Sequence, residues 1–255
     1  MASYNVFITG GASGIGYGIA EKLAESGHHI IIADINQNAA QDAAQSLKNN
    51  GGSAQAVTVD VCDAEQIAQV REQLADTPVD ILVNNAGIQH VEKLDSFPPH
   101  KWQQLINIML VGPALLTQAF LPGMRERNFG RIINVGSIHS VVASPYKSAY
   151  VAAKHGLLGF AKTVALETGD CDVTINTLCP AYVKTPLVEQ QIAAQAKENN
   201  LTEEEVINKI MLEPMPKKQF ISIEELAGTA AFLISPAARN ITGQTMILDG
   251  GWTAR

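Results

Sequence analysis

Thr9-Gly10-Gly11-Ala12-Ser13-Gly14-Ile15-Gly16 joins a short apolar run, Asn5–Thr9, to an amphipathic segment, Ile15–Ser26. Glycines at 10, 14 and 16 permit a tight turn and a close backbone approach to a diphosphate seated on a helix N-terminus. A glycine-rich turn alone is weak evidence. Here it leaves a strand, opens a helix, and precedes a second β-branched run that ends in Asp34. That acid lies about 20 residues on, where a carboxylate meets a ribose 2′-hydroxyl in dinucleotide sites. A carboxylate there repels a 2′-phosphate, so the reading favours NAD over NADP. The competing reading of Asp34 is a strand-end turn acid, since Asn36 follows it.

The same rhythm runs through the chain. Strand candidates are Asn5–Thr9, His29–Ala33, Ala56–Val59, Ile81–Asn84, Arg131–Val135, Thr174–Leu178 and Thr245–Leu248. Amphipathic segments lie between them: Ile15–Ser26, Ala39–Asn49, Ala64–Ala75, Trp102–Arg127 and Ser148–Thr168. Alternation of this kind predicts right-handed crossovers and an α/β fold, a doubly wound parallel sheet with helices on both faces. Asp60-Val61 and Asn84-Asn85-Ala86-Gly87 then fall at carboxyl ends of strands, the edge where ligands bind in open parallel sheets. No repeat or linker interrupts residues 1–255, which read as one domain. Residues 180–220 are more polar, with helical patterns at Leu187–Glu198 and Thr202–Met211, and are expected to form a lid over the site.

Composition narrows the class. The chain has 255 residues, 46% hydrophobic and 17% charged, which suits a single globular core. A net charge of −7 without basic clusters argues against nucleic acid as a partner. Cys62, Cys171 and Cys179 are an odd set without C-x-x-C spacing, as a reducing compartment allows. The N-terminal residues show no basic, cleavable leader, and no apolar run approaches the roughly 20 residues that cross a bilayer. The expectation is a cytoplasmic protein without a membrane partner. No histidines, cysteines and carboxylates share metal-ligand spacing, so no metal is expected.

Chemistry concentrates around Ser137 and Tyr150-Val151-Ala152-Ala153-Lys154. Residues four apart on a helix share a face, so the Tyr150 phenol and the Lys154 ammonium lie together. Ser137 ends the run Arg131–Val135 plus Gly136, and a hydroxyl at a strand end can meet that pair. An unperturbed tyrosine is ionised in only about one molecule in a thousand at neutral pH. A neighbouring ammonium favours the phenolate and moves the group toward acid–base use. By itself Tyr-x-x-x-Lys is equally an ordinary helical pair.

Together these motifs resemble the short-chain dehydrogenase/reductase family. T-G-x-x-x-G-x-G, N-N-A-G, and Ser137 with Tyr150 and Lys154 carry the resemblance across the chain, with Pro180 and Gly250-Gly251 in keeping. It implies a Rossmann-like seven-stranded sheet, usually in a homotetramer, and hydride transfer between a carbinol or carbonyl carbon and nicotinamide. It implies Tyr150 as acid–base, Ser137 as orienter of the substrate oxygen, and Lys154 as holder of the nicotinamide ribose. The cofactor set it implies is Gly10, Ser13, Gly14, Ile15, Gly16, Asp34, Asp60, Val61, Asn85, Ala86, Gly87, Tyr150, Lys154, Pro180, Val183 and Thr185. One position departs. Where the family has an asparagine supporting the lysine's bound water, this chain has Met109, in Ile108-Met109-Leu110. A thioether is no useful hydrogen-bond partner. Asn107 lies roughly 200° round the helix and cannot stand in. The proton relay is therefore expected to be altered.

Gln89, His139, Lys147 and Gln191 flank the catalytic motifs. With Ser137 and Tyr150 they resemble the substrate-anion site of the 3-hydroxybutyrate dehydrogenase branch of that family. One ammonium with amide and imidazole donors would hold a small carboxylate and fix the neighbouring carbinol against Tyr150. Taken singly, Lys147 or Gln191 reads as a solvated side chain, and His139 as a packed histidine. The alternatives are a reductase of another hydroxy acid, diol or 3-ketoacyl thioester, and a weakly catalytic NAD(H) sensor. Trp252 and Tyr182 read either as pocket wall or as packing.

Overall fold

Each strand candidate forms, and every strand pairing is parallel, as the alternation predicts. The computed structural model describes residues 3–254. Its strands are β1 Asn5–Thr9, β2 His29–Asp34, β3 Ser53–Thr58, β4 Ile81–Asn84, β5 Gly130–Val135, β6 Val173–Pro180 and β7 Thr245–Leu248. They make one parallel sheet in the order β3-β2-β1-β4-β5-β6-β7. The order reverses between β1 and β4, which opens a crevice at the carboxyl ends of those two strands. This is the Rossmann-like architecture.

Both faces of the sheet are dry, which explains the near-continuous apolar runs. Val6, Ile8, Ile30 and Ile32 face α1 (Gly14–Glu25), α2 (Gln37–Asn49) and α9 (Ile223–Ile234). Phe7, Ile31 and Leu82 face α3 (Ala64–Gln73), α5 (Gly112–Glu126) and α6 (Ser148–Glu167). Each such side chain contributes about 1.5–3 kcal/mol by burial. Successive strand residues alternate between the two clusters, so the site at the sheet edge rests on packing from both sides.

Three elements differ from expectation. Helix α9 lies outside the helical patterns of the sequence, although Ser222 and Glu225 form a reciprocal capping box before it. It packs on α1, where a β-carbon on Gly18 would collide with Ile223. Strand β3 begins at Ser53, earlier than Ala56, because the turn at Gly51-Gly52 ends α2 just before it. The long helix begins at Pro99, as α4 (Pro99–Ile106), and passes through a π-turn, Asn107–Val111, before α5. This continuous helix, Pro99–Glu126, is long and apolar enough to cross a bilayer. That corrects the expectation that nothing approaches such length. In this fold its apolar side is taken up: Leu105 and Met109 cluster with Ala149 and Ala153 of α6, and Leu116, Phe120 and Met124 join the core.

The segment after β6 carries α7 (Pro186–Asn199), α8 (Glu203–Val206) and a second π-turn, Ile207–Met211. A bridge between Val183 and Ile221 closes its base. Ile192, Val206 and Met211 give it a small core of its own. It also packs on the body of the domain, through Leu212 and Met215 against Ile138 and Trp252.

Candidate active site

The glycine-rich turn is braced by its neighbour strand. Thr9 Oγ1 accepts from the backbone N–H of Asn85 at 2.9 Å and of Ala86 at 3.0 Å. The Asn85 amide donates to the carbonyls of Thr9 and Gly10 at 3.0 Å each. Gly10 and Gly14 stand at φ +58° and +55°, in the left-handed region where a β-carbon is penalised. Gly16 does different work. A β-carbon there would run into the Gly10 carbonyl and the Asn85 amide, so Gly16 lets α1 close on the turn from behind rather than lining the cavity. Ser13 is the N-cap of α1 but gives it no side-chain cap. The first N–H groups of the helix thus face the cavity with the favourable end of its dipole.

A cavity of about 360 Å³ opens above this turn. Its wall takes in Gly10, Ser13, Gly14 and Ile15, then Asp34, Asp60 and Val61, then Asn85, Ala86 and Gly87. It ends against Tyr150, Lys154 and Thr185. Asp34 accepts a hydrogen bond from the N–H of Asn36 at 3.0 Å, so it is both turn acid and cavity wall. The Asp60 carboxylate accepts from the N–H of Cys62 at 2.9 Å, which fixes that corner. A positive-φ glycine cradle, an open helix N-terminus and a carboxylate at the far end fit a dinucleotide. Ile35, Ile88, Ile108 and Met109 also line the cavity. Ile35 is 69% exposed, an apolar residue in a turn, which was the available sequence signal for it.

Ser137 is held by a short 3₁₀ turn. Its N–H donates to Ser140 Oγ at 3.1 Å, and its Oγ accepts from the N–H of His139 at 3.2 Å. Lys154 is buried on α6 and donates to the Val135 carbonyl at 2.7 Å, its ammonium 5.7 Å from the centre of the Tyr150 ring. Burial lowers the pKa of Lys154 to about 8. Burial also pushes the Tyr150 phenol upward, with Ser137's hydrogen bond pulling the other way. The expectation that the ammonium brings the phenol down is not met by this environment. Desolvation of the phenolate outweighs an ammonium that is itself engaged elsewhere. Tyr150 is thus protonated at neutral pH, with Ser137 as its hydrogen-bond neighbour.

A second cavity, of about 110 Å³, adjoins the first. The two share Ile15, Gly136, Tyr150 and Thr185 as walls. Gln89, Ser137, His139, Lys147 and Gln191 all line the smaller one, as do Pro180 and Val183, which were assigned to the cofactor set. Lys147 is 7% exposed, and its ammonium lies 3.4 Å from Nε2 of His139. Burial, then the Lys147 charge, lowers the pKa of His139 to about 4, so the imidazole is neutral. Burial also lowers the pKa of Lys147. Tyr182 walls the cavity, and Trp252 backs it, 6.2 Å from the rings of both His139 and Tyr182. Val188 on α7 completes the lid side. Among the described residues no group of three or more histidine, cysteine or acidic side chains is placed to hold a metal.

Tyr150 thus stands between a cavity built on a glycine turn and a helix N-terminus and a smaller one lined by Lys147. Residues 4–196 match the family model for short chain dehydrogenases. The chain is 44% identical to the D-beta-hydroxybutyrate dehydrogenase of Rhizobium meliloti, covering 97% of this chain and 98% of that one. It is 43% identical to the D-beta-hydroxybutyrate dehydrogenase of Cupriavidus necator, over 97% of each. The crystal structure of a variant actinorhodin polyketide ketoreductase with NADPH superposes with a TM-score of 0.94 at 28% identity. It covers 99% of this chain and 98% of that one. Family members of this kind bind a nicotinamide cofactor. This chain is an oxidoreductase and belongs to the short-chain dehydrogenase/reductase family.

Proposed function

We propose that the protein interconverts (R)-3-hydroxybutyrate and acetoacetate with NAD. The observation that carries this reading is the pair of cavities meeting at Tyr150, the smaller lined by Lys147, His139, Gln89 and Gln191. At about 110 Å³ the smaller cavity is well below the roughly 300–1,000 Å³ of drug-sized pockets, a size suited to a four-carbon acid. The larger cavity would take NAD, with the diphosphate over Gly10–Gly14 and the adenosine ribose toward Asp34. Bound NAD supplies the hydride acceptor. Lys147 and the two amides hold the carboxylate, and His139 accepts from Lys147 and keeps that ammonium aimed inward. Ser137 steadies the substrate oxygen, and Tyr150 exchanges the proton with it. Lys154, which lines the larger cavity with Tyr150, would hold the nicotinamide ribose. Asp34 disfavours a 2′-phosphate, which separates this chain's preference from that of the NADPH-bound ketoreductase. The family's usual homotetramer is part of the proposal.

The test is initial-rate NADH formation from NAD with (R)- and (S)-3-hydroxybutyrate in parallel, repeated with NADP. Turnover of the (R) acid with NAD alone supports the anion clamp and the role of Asp34. Absence of turnover on both enantiomers, in protein that binds NADH, moves the substrate elsewhere.

A further inference from the structure

Lys147 and Gln89 reach the smaller cavity from different segments. Lys147 stands at the N-cap of α6, and Gln89 stands in the loop after β4. A single backbone hydrogen bond ties these segments: the N–H of Glu92 donates to the carbonyl of Tyr146 at 2.9 Å. That bond lies three residues from Gln89 and one from Lys147.

Tyr146 is unusual in itself. Its φ is +65°, in the left-handed region that residues with a β-carbon seldom adopt. The residue is 53% exposed, so the ring is not what the fold buries. Pro145 fixes the approach to it. On the same turn, Ser144 Oγ lies 3.5 Å from Nε2 of His139, the nitrogen that Lys147 faces. The next residue, Lys147, is 7% exposed although a lysine stem reaches easily to solvent and a buried ammonium is costly. Something in the backbone must start that stem inward.

We propose that Tyr146 is a positioning residue whose left-handed backbone, clipped to the N–H of Glu92, directs Lys147 into the anion cavity and sets its separation from Gln89. The proposal rests on the hydroxy-acid reading above. Its prediction is a ladder of variants at one site, ordered by tolerance of positive φ. Tyr146→Gly and Tyr146→Asn adopt it readily, and Tyr146→Val resists it. Glu92→Pro removes the donor.

Tyr146→Val and Glu92→Pro should each raise the hydroxy-acid KM about three- to tenfold, the size of one lost hydrogen bond, with kcat and the NAD KM within about twofold. The double variant should be no worse than the poorer single one, because both lose the same bond. Tyr146→Gly and Tyr146→Asn should stay near wild type. An unchanged KM in Tyr146→Val overturns the clip. So does a KM in Tyr146→Gly as high as in Tyr146→Val, since the ring would then matter. A second readout needs no substrate: acetic anhydride labelling of Lys147, followed by peptide mass spectrometry. Labelling should quicken in Tyr146→Val and Glu92→Pro and hold in Tyr146→Gly. If wild type turned over no hydroxy acid, the substrate reading would fail, and labelling would still decide the clip.

Discussion

The ammonium of Lys147 faces Nε2 of His139 at 3.4 Å, and both side chains are buried. Lys147 can only donate, so Nε2 must accept and the ring proton belongs on Nδ1. A protonated His139 would confront the ammonium with a like charge. The pair therefore works only while the imidazole is neutral.

That constraint gives a pH dependence with a definite sign. Burial first, then Lys147 and more weakly His155, lower His139 from 6.5 to about 4. Between those values the unfolded chain binds more protons than the folded one. Stability from this group is complete above about pH 6.5 and is lost as pH falls toward 4, by up to about 3 kcal/mol. Urea midpoints measured from pH 7 to 4 should fall more steeply for wild type than for His139→Gln. Equal slopes would mean that His139 does not titrate in this environment.

Tyr150→Phe removes one oxygen from a residue that walls both cavities. Turnover should drop by about 10²–10⁴ or more, while NADH affinity by fluorescence titration stays near wild type. Retained turnover would end the assignment of Tyr150 as acid–base.

Lys147→Ala leaves a small carboxylate without its one charged anchor. The hydroxy-acid KM should rise about 10- to 100-fold, as for a lost charge-assisted hydrogen bond, with NAD affinity little changed. A matching loss in NAD binding would place Lys147 on the cofactor side.

Asp34→Asn keeps a side-chain oxygen that can accept from the N–H of Asn36 while removing the charge. The kcat/KM ratio of NADP to NAD should rise by about two- to fivefold, the scale of one partly screened charge contact. An unmoved ratio would leave Asp34 as a turn acid alone.

Much of this architecture is legible in the chain because strands and turns announce themselves locally. β1, β4 and β7 keep the bounds their sequence predicts, since apolar runs stop at turn residues such as Gly10 and Asn85. Helix α9 was missed because Ile223–Ile234 is mostly apolar and lacks a strong polar face, although Ser222 and Glu225 marked its start. The polar residues of the two cavities are legible from motif positions, and the fold brings them together, whereas apolar walls such as Ile35, Ile88 and Ile108 are not. Other properties need three dimensions. Gly16 and Gly10 are the same letter, yet one packs and the other lines a cavity. The upward pull on Tyr150 depends on how deeply the phenol is enclosed, which spacing to Lys154 does not encode. The positive φ of Tyr146 has no signal at all in its residue type.

Met109 is the departure whose consequence is most open to measurement. It is 1% exposed within the π-turn, and its sulfur would meet a β-carbon on Gly87 at 3.5 Å. It lines the larger cavity together with Lys154, whose ammonium bonds to the Val135 carbonyl. A thioether there offers Lys154 no route for proton exchange. Met109→Asn should raise kcat by placing a polar group in the cavity that Lys154 also lines. It should also lower stability by about 1–3 kcal/mol, because the amide replaces a methionine that clusters with Leu105, Ala149 and Ala153. Initial rates and urea melts on the same preparations check both outcomes. A loss of stability without a gain in kcat would show that the proton leaves Lys154 by a path that does not pass residue 109.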